Sequence, residues 1–315
     1  MNTLTRFMPF KLCLATAALS LVLGSAAAMA DTRIGVSMSS FDDNYLTTVR
    51  QDLAAKAKAD GVQVQFEDAN NDIVRQISQI QNFIAQNVDA VIVTPVDTAS
   101  TKNIIDAAVK AKVPLVFMNR RPDQPKLPEG VVSVTSDDKE AGRLQAEYIA
   151  KKLDGKGQVA ILLGELSNNS THARTAGVKE VLAKYPGIKI VDEQTGLWLR
   201  QKGMDLTSDW LTAGKPIDAI LSNNDEMGIG AAMALKSGGK AGTPVGGVDG
   251  TTDGLASIKR GDLTVSVFQD AKGQAEGSLA AAMKMINKQP AQDVLIPYRL
   301  ITKDNVAEFQ AMSKP

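Results

Sequence analysis

The side chains with the richest chemistry in this chain lie just after apolar, β-branched runs. Carboxylates, amides, guanidiniums and a few aromatic rings occupy these places, at residues 41–45, 94–97, 119–121, 168–174, 198, 223–225, 249–251 and 269–270. This mixture suits a neutral polyhydroxylated ring, because each ring hydroxyl both donates and accepts a hydrogen bond. Charged partners strengthen hydrogen bonds to a ligand that has left water, and an aromatic ring packs against C–H faces.

A single carboxylate or amide after a strand is usually a helix cap or a turn residue. Asp72 and Asp225 stand at predicted helix starts and are interpreted as caps. The recurrence of such residues after one apolar run after another favours a shared binding site over a series of unrelated caps.

A catalytic or metal centre is not predicted. His172 is the only histidine, and the chain has no His-x-x-x-His, Cys-x-x-Cys or Gly-x-Ser-x-Gly spacing. Asp42 and Asp43 could serve a glycosidase, but adjacent side chains point apart. Gly228 and Gly230 fall inside a predicted helix, which argues against a phosphate-binding loop. We therefore expect no enzyme, no metal and no cofactor.

The first 30 residues have the parts of a secretory signal peptide. Arg6 and Lys11 precede an apolar run over residues 12–24, and the small residues of 28–30 form a cleavage site. The apolar run is too short for a permanent membrane span, which favours a cleaved leader. An N-terminal membrane anchor is the alternative interpretation. Export to the periplasm is the expectation.

The mature chain of about 285 residues is long enough for two domains. Its single cysteine, Cys13, lies in the leader, so the mature chain has neither disulfides nor thiolate chemistry. The whole chain contains 35 basic and 35 acidic residues, which gives no electrostatic reason to bind nucleic acid or anionic lipid.

Short apolar runs alternate with amphipathic helical stretches throughout the mature chain. Strands are predicted over residues 32–38, 62–67, 90–94, 114–118, 131–134, 159–163, 188–191, 219–222, 244–247 and 264–268. This alternation predicts an α/β fold whose parallel sheets are covered by helices on both faces. The loops at the carboxyl ends of the strands would then gather the polar residues into one place.

At these residues the chain resembles the periplasmic sugar-binding proteins of ABC transporters, in the ribose and galactose/glucose group. Residues 32–36 and 41–45 are similar to the galactose-binding branch, whereas residues 224–227, 249–254 and Gln269 are similar to the ribose-binding branch. The resemblance covers essentially the whole mature chain. It implies the type I periplasmic binding protein fold: two similar doubly wound parallel-sheet domains joined by a three-strand hinge, closing around the ligand.

The pattern and the resemblance together predict the lobe boundaries. The N-terminal lobe takes residues 31–134 and 269–292, and the C-terminal lobe takes residues 135–268 and 293–315, including a final strand near residues 294–301.

The resemblance also implies which residues touch the ligand. From the first lobe these are Asp43, Tyr45, Asn119 and Arg120. From the second lobe they are Arg174, Trp198 as an aromatic plate, Asn224 and Asp249, and Gln269 is a further polar contact.

Departures from both branches bear on the ligand. Thr94 and Ser170 replace an amide and an aspartate of the galactose branch, and Asn119 replaces an acid of the ribose branch. The calcium loop of the galactose branch is missing between residues 152 and 159, which predicts no metal. This hybrid looks like the inositol- and rhizopine-binding members, so a cyclitol such as myo-inositol is expected, with ribose, galactose or glucose as the alternative.

The expected partners are the ligand and the membrane permease of an ABC transporter, and the chain is expected to be a monomer. A chemoreceptor is a compatible further partner. A sugar-responsive transcription regulator would need a DNA-binding head where the leader stands. A secreted sugar-modifying enzyme would need the catalytic groups that are missing.

Overall fold

The structure is a computed structural model that describes Met1 and residues 32–312. The predicted signal peptide and its Cys13 therefore lie outside the described residues, apart from Met1. Within residues 32–312, no helix is long and apolar enough to cross a lipid bilayer.

Strands and helices alternate as the sequence predicts. The strands are β1 (Arg33–Met38), β2 (Gln63–Asp68), β3 (Ala90–Val93), β4 (Leu115–Asn119), β5 (Val131–Thr135), β6 (Lys156–Leu163), β7 (Gly187–Thr195), β8 (Ala219–Ser222), β9 (Val245–Gly246), β10 (Ser266–Phe268), β11 (Val294–Leu295) and β12 (Arg299–Ile301). The helices are α1 (Asn44–Ala59), α2 (Ile73–Ala85), α3 (Lys102–Ala111), α4 (Asp138–Lys152), α5 (Asn169–Leu182), α6 (Arg200–Thr212), α7 (Asp225–Ser237), α8 (Thr252–Arg260), α9 (Ala271–Ile286) and α10 (Val306–Met312).

The first sheet has the strand order β11-β5-β4-β3-β1-β2, and each neighbouring pair is parallel. Strands β3, β4 and β5 are buried along their whole length, as expected for a parallel sheet with helices on both faces. Helices α1 and α9 cover one face, and α2 and α3 cover the other. We call this sheet and these helices the first lobe.

A second parallel sheet has the strand order β7-β6-β8-β9. Backbone bridges from Gly246 to Val265 and from Asp249 to Phe268 extend it to β10, which pairs with β12 in antiparallel orientation. Helices α4 and α5 cover one face, and α6, α7, α8 and α10 cover the other. We call this group the second lobe. The predicted α/β fold class, with two doubly wound parallel-sheet domains, is confirmed.

Within residues 32–312, the chain passes between the lobes at three segments. We call them the first crossing (residues 136–137, after β5), the second crossing (residues 269–270, after β10) and the third crossing (residues 296–298, after β11). This connectivity agrees with the three-strand hinge that the resemblance implies.

One strand lies in a different lobe from the one predicted. Strand β11, Val294–Leu295, pairs with β5 of the first sheet, although residues 293–315 were expected in the second lobe. The neighbouring carboxylate explains the pairing, because Asp293 Oδ1 accepts a hydrogen bond of 2.8 Å from the backbone N–H of Ser133. Strand β12 lies in the second lobe as expected.

Glycines let the helices of the second lobe approach one another at backbone distance. A side chain at Gly142 of α4 would place its Cβ 2.0 Å from the carbonyl oxygen of Arg174 in α5. Gly230 of α7 is as close to the carbonyl oxygen of Arg200 in α6. Gly230 is therefore a packing residue, in agreement with the prediction that it is not part of a phosphate loop.

Candidate functional site

The residues predicted for the site all line one cavity between the two lobes. The lining consists of Asp43, Tyr45, Leu46, Asn119, Arg120, Ser170, Arg174, Trp198, Asn224, Asp249 and Gln269. Leu46 and Ser170 are the additions to the predicted set. The strand ends that are distant in sequence meet here because the carboxyl ends of parallel strands share one edge of each sheet. That these side chains touch a ligand stays a prediction.

A second cavity opens beside the first and shares Asp43, Leu46, Arg120 and Trp198 with it. Its volume is about 110 Å³, compared with about 30 Å³ for the first. The shared residues therefore stand where the cavities meet, in the middle of the cleft.

Arg174 is the most densely hydrogen-bonded side chain of the site. Its Nε donates to Asp138 Oδ1 at 2.8 Å, and its Nη1 donates to the carbonyl oxygen of Asn223 at 2.7 Å and to Asp249 Oδ1 at 3.5 Å. Its Nη2 donates to Gln269 Oε1 at 3.1 Å and to Tyr298 Oη at 3.0 Å. An arginine has five N–H donors, so the protein itself engages all of them.

Burial and charge act against each other in this group. Burial lowers the pKa of the Arg174 guanidinium, but Tyr298, Asp138 and Asp249 raise it more, and the net shift is upward. Burial raises the pKa of Asp249 well above its ordinary value, although Arg174 acts in the opposite direction. Arg174 therefore stays charged, while Asp249 can offer a ligand either an acceptor oxygen or, when protonated, a donor.

Arg120 differs from Arg174 in having donors to spare. It is only 6% exposed, and within residues 32–312 its guanidinium makes one hydrogen bond, from Nη1 to the carbonyl oxygen of Pro95 at 3.0 Å. Among the described residues, no carboxylate forms a salt bridge with it. Burial lowers the pKa of this guanidinium, although Asp43 and Glu165 act to raise it. The remaining N–H groups are therefore available to an acceptor in the cavity.

Asp43 combines a local and a possible ligand role. It is the N-cap of α1, and its Oδ1 accepts the backbone N–H of Leu46 at 2.8 Å. The general expectation that an aspartate after a strand caps a helix therefore applies here. The second carboxylate oxygen is the one left for a ligand.

A buried glutamine of α9 orients two predicted side chains of the first lobe. Gln274 Oε1 accepts the hydroxyl of Tyr45 and Nδ2 of Asn119, each at 3.1 Å. Its Nε2 donates to Ser136 Oγ at 3.0 Å. Gln274 is not among the residues predicted from the sequence; the available signal was a glutamine on the face that α9 shares with buried Ala275 and other core residues.

Trp198 forms the aromatic wall of the cavity. Its ring lies against Gly164, where an added Cβ would come within 2.1 Å of Cζ2. Leu197 and Trp198 have φ values of 55° and 66°, a left-handed conformation that is uncommon outside glycine. The carbonyl oxygen of Trp198 accepts Nδ2 of Asn224 at 3.0 Å, which holds this turn against α7.

The two predicted helix caps have different outcomes. Asp72 caps α2 as predicted, since its Oδ1 accepts the backbone N–H groups of Val74 and Arg75. The prediction that Asp225 caps α7 is wrong: Asn224 is the N-cap, and its Oδ1 accepts the backbone N–H of Met227 at 3.0 Å.

Asp225 instead supports the turn that carries Asp249. It is fully buried, and its Oδ2 accepts the backbone N–H groups of Gly250 at 2.8 Å and Thr251 at 3.0 Å. Its Oδ1 accepts the hydroxyl of Ser266 at 2.6 Å. Asp249 has a φ of 120°, so its backbone needs this local support.

Asp138 and Tyr298 are likewise absent from the residues predicted for the site. Tyr298 Oη donates to Asp138 Oδ1 at 2.7 Å, and Asp138 Oδ2 accepts the hydroxyl of Ser170 at 2.8 Å. The available signal for Tyr298 was its rarity, since the chain has only four tyrosines.

Neither a metal-ligand cluster nor the histidine contributes to the cavities in the described part of the chain. Residues 32–312 contain no group of three histidine, cysteine, aspartate or glutamate side chains that could hold a metal ion. His172 Nε2 lies 2.9 Å from the carbonyl oxygen of Leu166, and His172 is not among the residues that line either cavity.

The chain is similar in sequence to known solute-binding proteins. Residues 34–290 match the family described as periplasmic binding protein domain. The chain is 48% identical over 296 residues to a Rhizobium meliloti protein whose name assigns it to rhizopine binding, covering 92% of this chain and 96% of that one. It is 35% identical over 286 residues to the xylitol-binding protein of Mycolicibacterium smegmatis, covering 90% and 81%.

A solved structure of a solute-binding protein is also similar to this chain. An ABC transporter solute binding protein from Bacillus halodurans, with bound myo-inositol, has a TM-score of 0.85 and 38% sequence identity to this chain. The superposition covers 89% of this chain and 98% of that one. The similarity therefore extends over both lobes.

Proposed function

Because the chain belongs to the periplasmic binding protein family, we propose that its cleft binds a cyclitol such as myo-inositol. Proteins of this family bind solutes and are not enzymes, and the chain is the sugar-binding component of an ABC transporter. The identity of the ligand is the step that we add.

One observation carries the proposal of a neutral ring with several hydroxyls. The second lobe balances the charge of Arg174 with its own carboxylates, whereas Arg120 of the first lobe has several N–H donors without an acceptor among the described residues. A charged ligand would disturb the charge balance around Arg174. A hydroxyl can accept from Arg120 without doing so, because it carries no net charge.

The cavities also constrain where such a ring lies. The first cavity, of about 30 Å³, has room for about two water molecules. A six-membered ring with its hydroxyls therefore extends into the second cavity, beside Asp43, Arg120 and Trp198. Trp198 would then pack on a C–H face of the ring.

The choice of a cyclitol over an aldose rests on the similar proteins. The Rhizobium meliloti relative is named for rhizopine binding, and the Bacillus halodurans structure holds myo-inositol. The same role for a monosaccharide such as ribose, galactose or glucose is the alternative, because a single exchanged hydrogen bond in the site changes specificity strongly.

Closure of the two lobes around the ligand is the proposed mechanism. Asn44 Nδ2 of the first lobe donates to Glu226 Oε1 of the second at 2.9 Å. At another place, Thr98 Oγ1 donates to the carbonyl oxygen of Ser167 at 3.3 Å and accepts the backbone N–H of Asn169 at 3.1 Å. A ligand that touches both lobes adds to these contacts and shifts the population towards the closed state.

The cellular setting of the proposal follows from the family. Residues 1–30 would direct export, and the mature protein would work in the periplasm as a monomer that delivers its ligand to a membrane permease. A chemoreceptor would be a further partner for the closed form.

A thermal-shift screen of the mature protein tests the ligand. A ligand that binds only the folded state raises the melting temperature by mass action. We expect a shift with myo-inositol or another cyclitol and none with ribose, galactose or glucose. A shift with an aldose alone would replace the proposed ligand by the alternative, and no shift with any of them would contradict both.

A substitution in the first lobe tests the site. Asp43→Ala removes a carboxylate and should weaken binding by about 1–3 kcal/mol, the usual effect of leaving a buried partner unpaired. Asp43→Asn is the matched variant, since asparagine still caps the helix. Unchanged affinity in both variants would remove Asp43 from the site.

A further inference from the structure

Arg174 faces the cavity and is bonded to the second and third crossings and to the residue that follows the first. Its Nε donates to Asp138, the residue that follows the first crossing, at 2.8 Å. Its Nη2 donates to Gln269 of the second crossing at 3.1 Å and to Tyr298 of the third at 3.0 Å. The segments that connect the lobes therefore meet at one guanidinium.

Tyr298 closes this arrangement without reaching the cavity. Its hydroxyl accepts from Arg174 Nη2 and donates to Asp138 Oδ1 at 2.7 Å, so it joins the third crossing to the start of α4. It lines neither of the two cavities. A hydroxyl used in both directions by buried charged groups is well suited to fix the position of one of them.

We propose that Tyr298 is a positioning residue for ligand binding, which together with Asp138 holds the Arg174 guanidinium in the cavity and ties its place to the crossings. The proposal rests on the proposed function, because Arg174 is expected to touch the ligand.

The Tyr298 hydroxyl restricts the freedom of the Arg174 guanidinium. An arginine side chain has many rotamers, and holding it in one place costs conformational entropy unless its N–H groups are fixed by partners. Without the Tyr298 hydroxyl, Nη2 keeps Gln269 as its one acceptor within residues 32–312, and Asp138 loses a donor. The guanidinium then has to be ordered by the ligand, which weakens binding.

The hydrogen bonds of Arg174 with Asp138, Gln269 and Tyr298 would connect a bound ligand to the crossings. A ligand that contacts Arg174 contacts a side chain whose partners lie at the crossings, so the arrangement of the crossings and the position of Arg174 depend on each other. A shift of the third crossing would move the Tyr298 hydroxyl away from Nη2. A displacement of the Arg174 guanidinium would in turn affect the third crossing, because coupling between two sites is reciprocal.

The test compares Tyr298→Phe with Tyr185→Phe by calorimetric titration of myo-inositol. Tyr185 packs in the core of the second lobe beside Gly155, away from the cavity, and loses the same hydroxyl. We expect Tyr298→Phe to weaken binding by about ten-fold, the effect of one hydrogen bond to a charged group, and Tyr185→Phe to leave the affinity unchanged.

A double-mutant cycle separates positioning from general loosening of the fold. In an Arg174→Lys background, Tyr298→Phe should have almost no further effect, since the fork that it orients is gone. In an Asp43→Asn background the ten-fold effect should persist. The same loss in the Arg174→Lys background as in the wild type would overturn the proposal, and so would an unchanged affinity of Tyr298→Phe.

A measurement without ligand keeps the test independent of the proposed function. If the wild type does not bind myo-inositol, the proposed ligand is wrong. Amide hydrogen exchange still decides whether Tyr298 links Arg174 to the crossings. We expect Tyr298→Phe to speed exchange over residues 136–138 and 296–298, and Tyr185→Phe to leave it unchanged. Unaltered exchange at both segments in Tyr298→Phe would contradict the link.

Discussion

Arg174 Nη1 lies 3.5 Å from Asp249 Oδ1, and this is the longest of the five hydrogen bonds that the Arg174 guanidinium makes. A ring hydroxyl that approaches this pair can accept from the guanidinium and donate to the carboxylate. The long contact is therefore the one most easily exchanged for contacts with a ligand.

Replacing Asp249 by asparagine tests this exchange. Asparagine tolerates the φ of 120° better than most residues, so the turn should survive. We expect binding of the ligand to weaken by about 1.5–3 kcal/mol, because a hydrogen bond to a charged group is lost. Calorimetric titration measures the effect, with Asp304→Asn on the surface as the control. An affinity equal to that of the wild type would show that the ligand does not use Asp249.

Gly164→Ala should obstruct the cavity without adding a large group to it. The new Cβ would come within 2.1 Å of the Trp198 ring, so the ring has to move from its present wall position. We expect loss of ligand binding together with a changed tryptophan emission spectrum. The chain has two tryptophans, and a Trp210→Phe background assigns the change to Trp198. Normal binding with an unchanged spectrum would show that the ring is not held against Gly164.

The contacts between the lobes at Thr98 should contribute to affinity although they lie outside the cavities. Thr98→Val keeps the shape but removes the hydroxyl that bonds Ser167 and Asn169. We expect weaker binding by about 0.5–1.5 kcal/mol, seen mainly as faster dissociation in stopped-flow measurements. Thr101→Val is the matched control, since Thr101 bonds only within the first lobe. Equal dissociation rates in the two variants would argue against a role of Thr98 in closure.

Asp225 predicts a pH dependence of stability. Burial raises the pKa of Asp225 to about 7, although bonds from Ser266 and the 250–251 backbone act to lower it. Between about pH 4 and pH 7 the folded state thus keeps a proton that the unfolded state has released, so the free energy of unfolding falls as the pH rises through this window. Asp249 contributes in the same direction.

Asp225→Asn should flatten this dependence. Asparagine has no proton to release, so the slope of unfolding free energy against pH should decrease by up to about 1.4 kcal/mol per pH unit. Urea unfolding between pH 4.5 and 7.5 gives both slopes, and Asp304→Asn should match the wild type. Parallel curves for the wild type and Asp225→Asn would contradict the raised pKa.

The fold and much of the site could be predicted because they depend on simple regularities. Alternation of apolar runs and amphipathic stretches determines the layers, and parallel strands bring their carboxyl ends together. For that reason residues as distant as Asp43 and Gln269 line one cavity, as expected.

The remaining features depend on contacts that periodicity does not report. Strand β11 has two residues, too few for a pattern, and its place is decided by the bond from Ser133 to Asp293. Asn224 and Asp225 are neighbours with similar capping chemistry, and the burial of Asp225 against the 249–251 turn decides between them. Gln274 looks like any other position on the buried face of a helix.

The two halves of the cavity differ in how much of their hydrogen-bonding capacity the protein already uses. Arg174 is saturated by the second lobe and the crossings, while the Arg120 guanidinium has one hydrogen-bond partner in the described part of the chain. We expect substitutions around Arg174 to disturb both the hinge and ligand binding, whereas substitutions around Arg120 should change ligand binding alone. Descendants of such a protein could therefore acquire new nutrients through the first lobe while inheriting the closing movement unchanged.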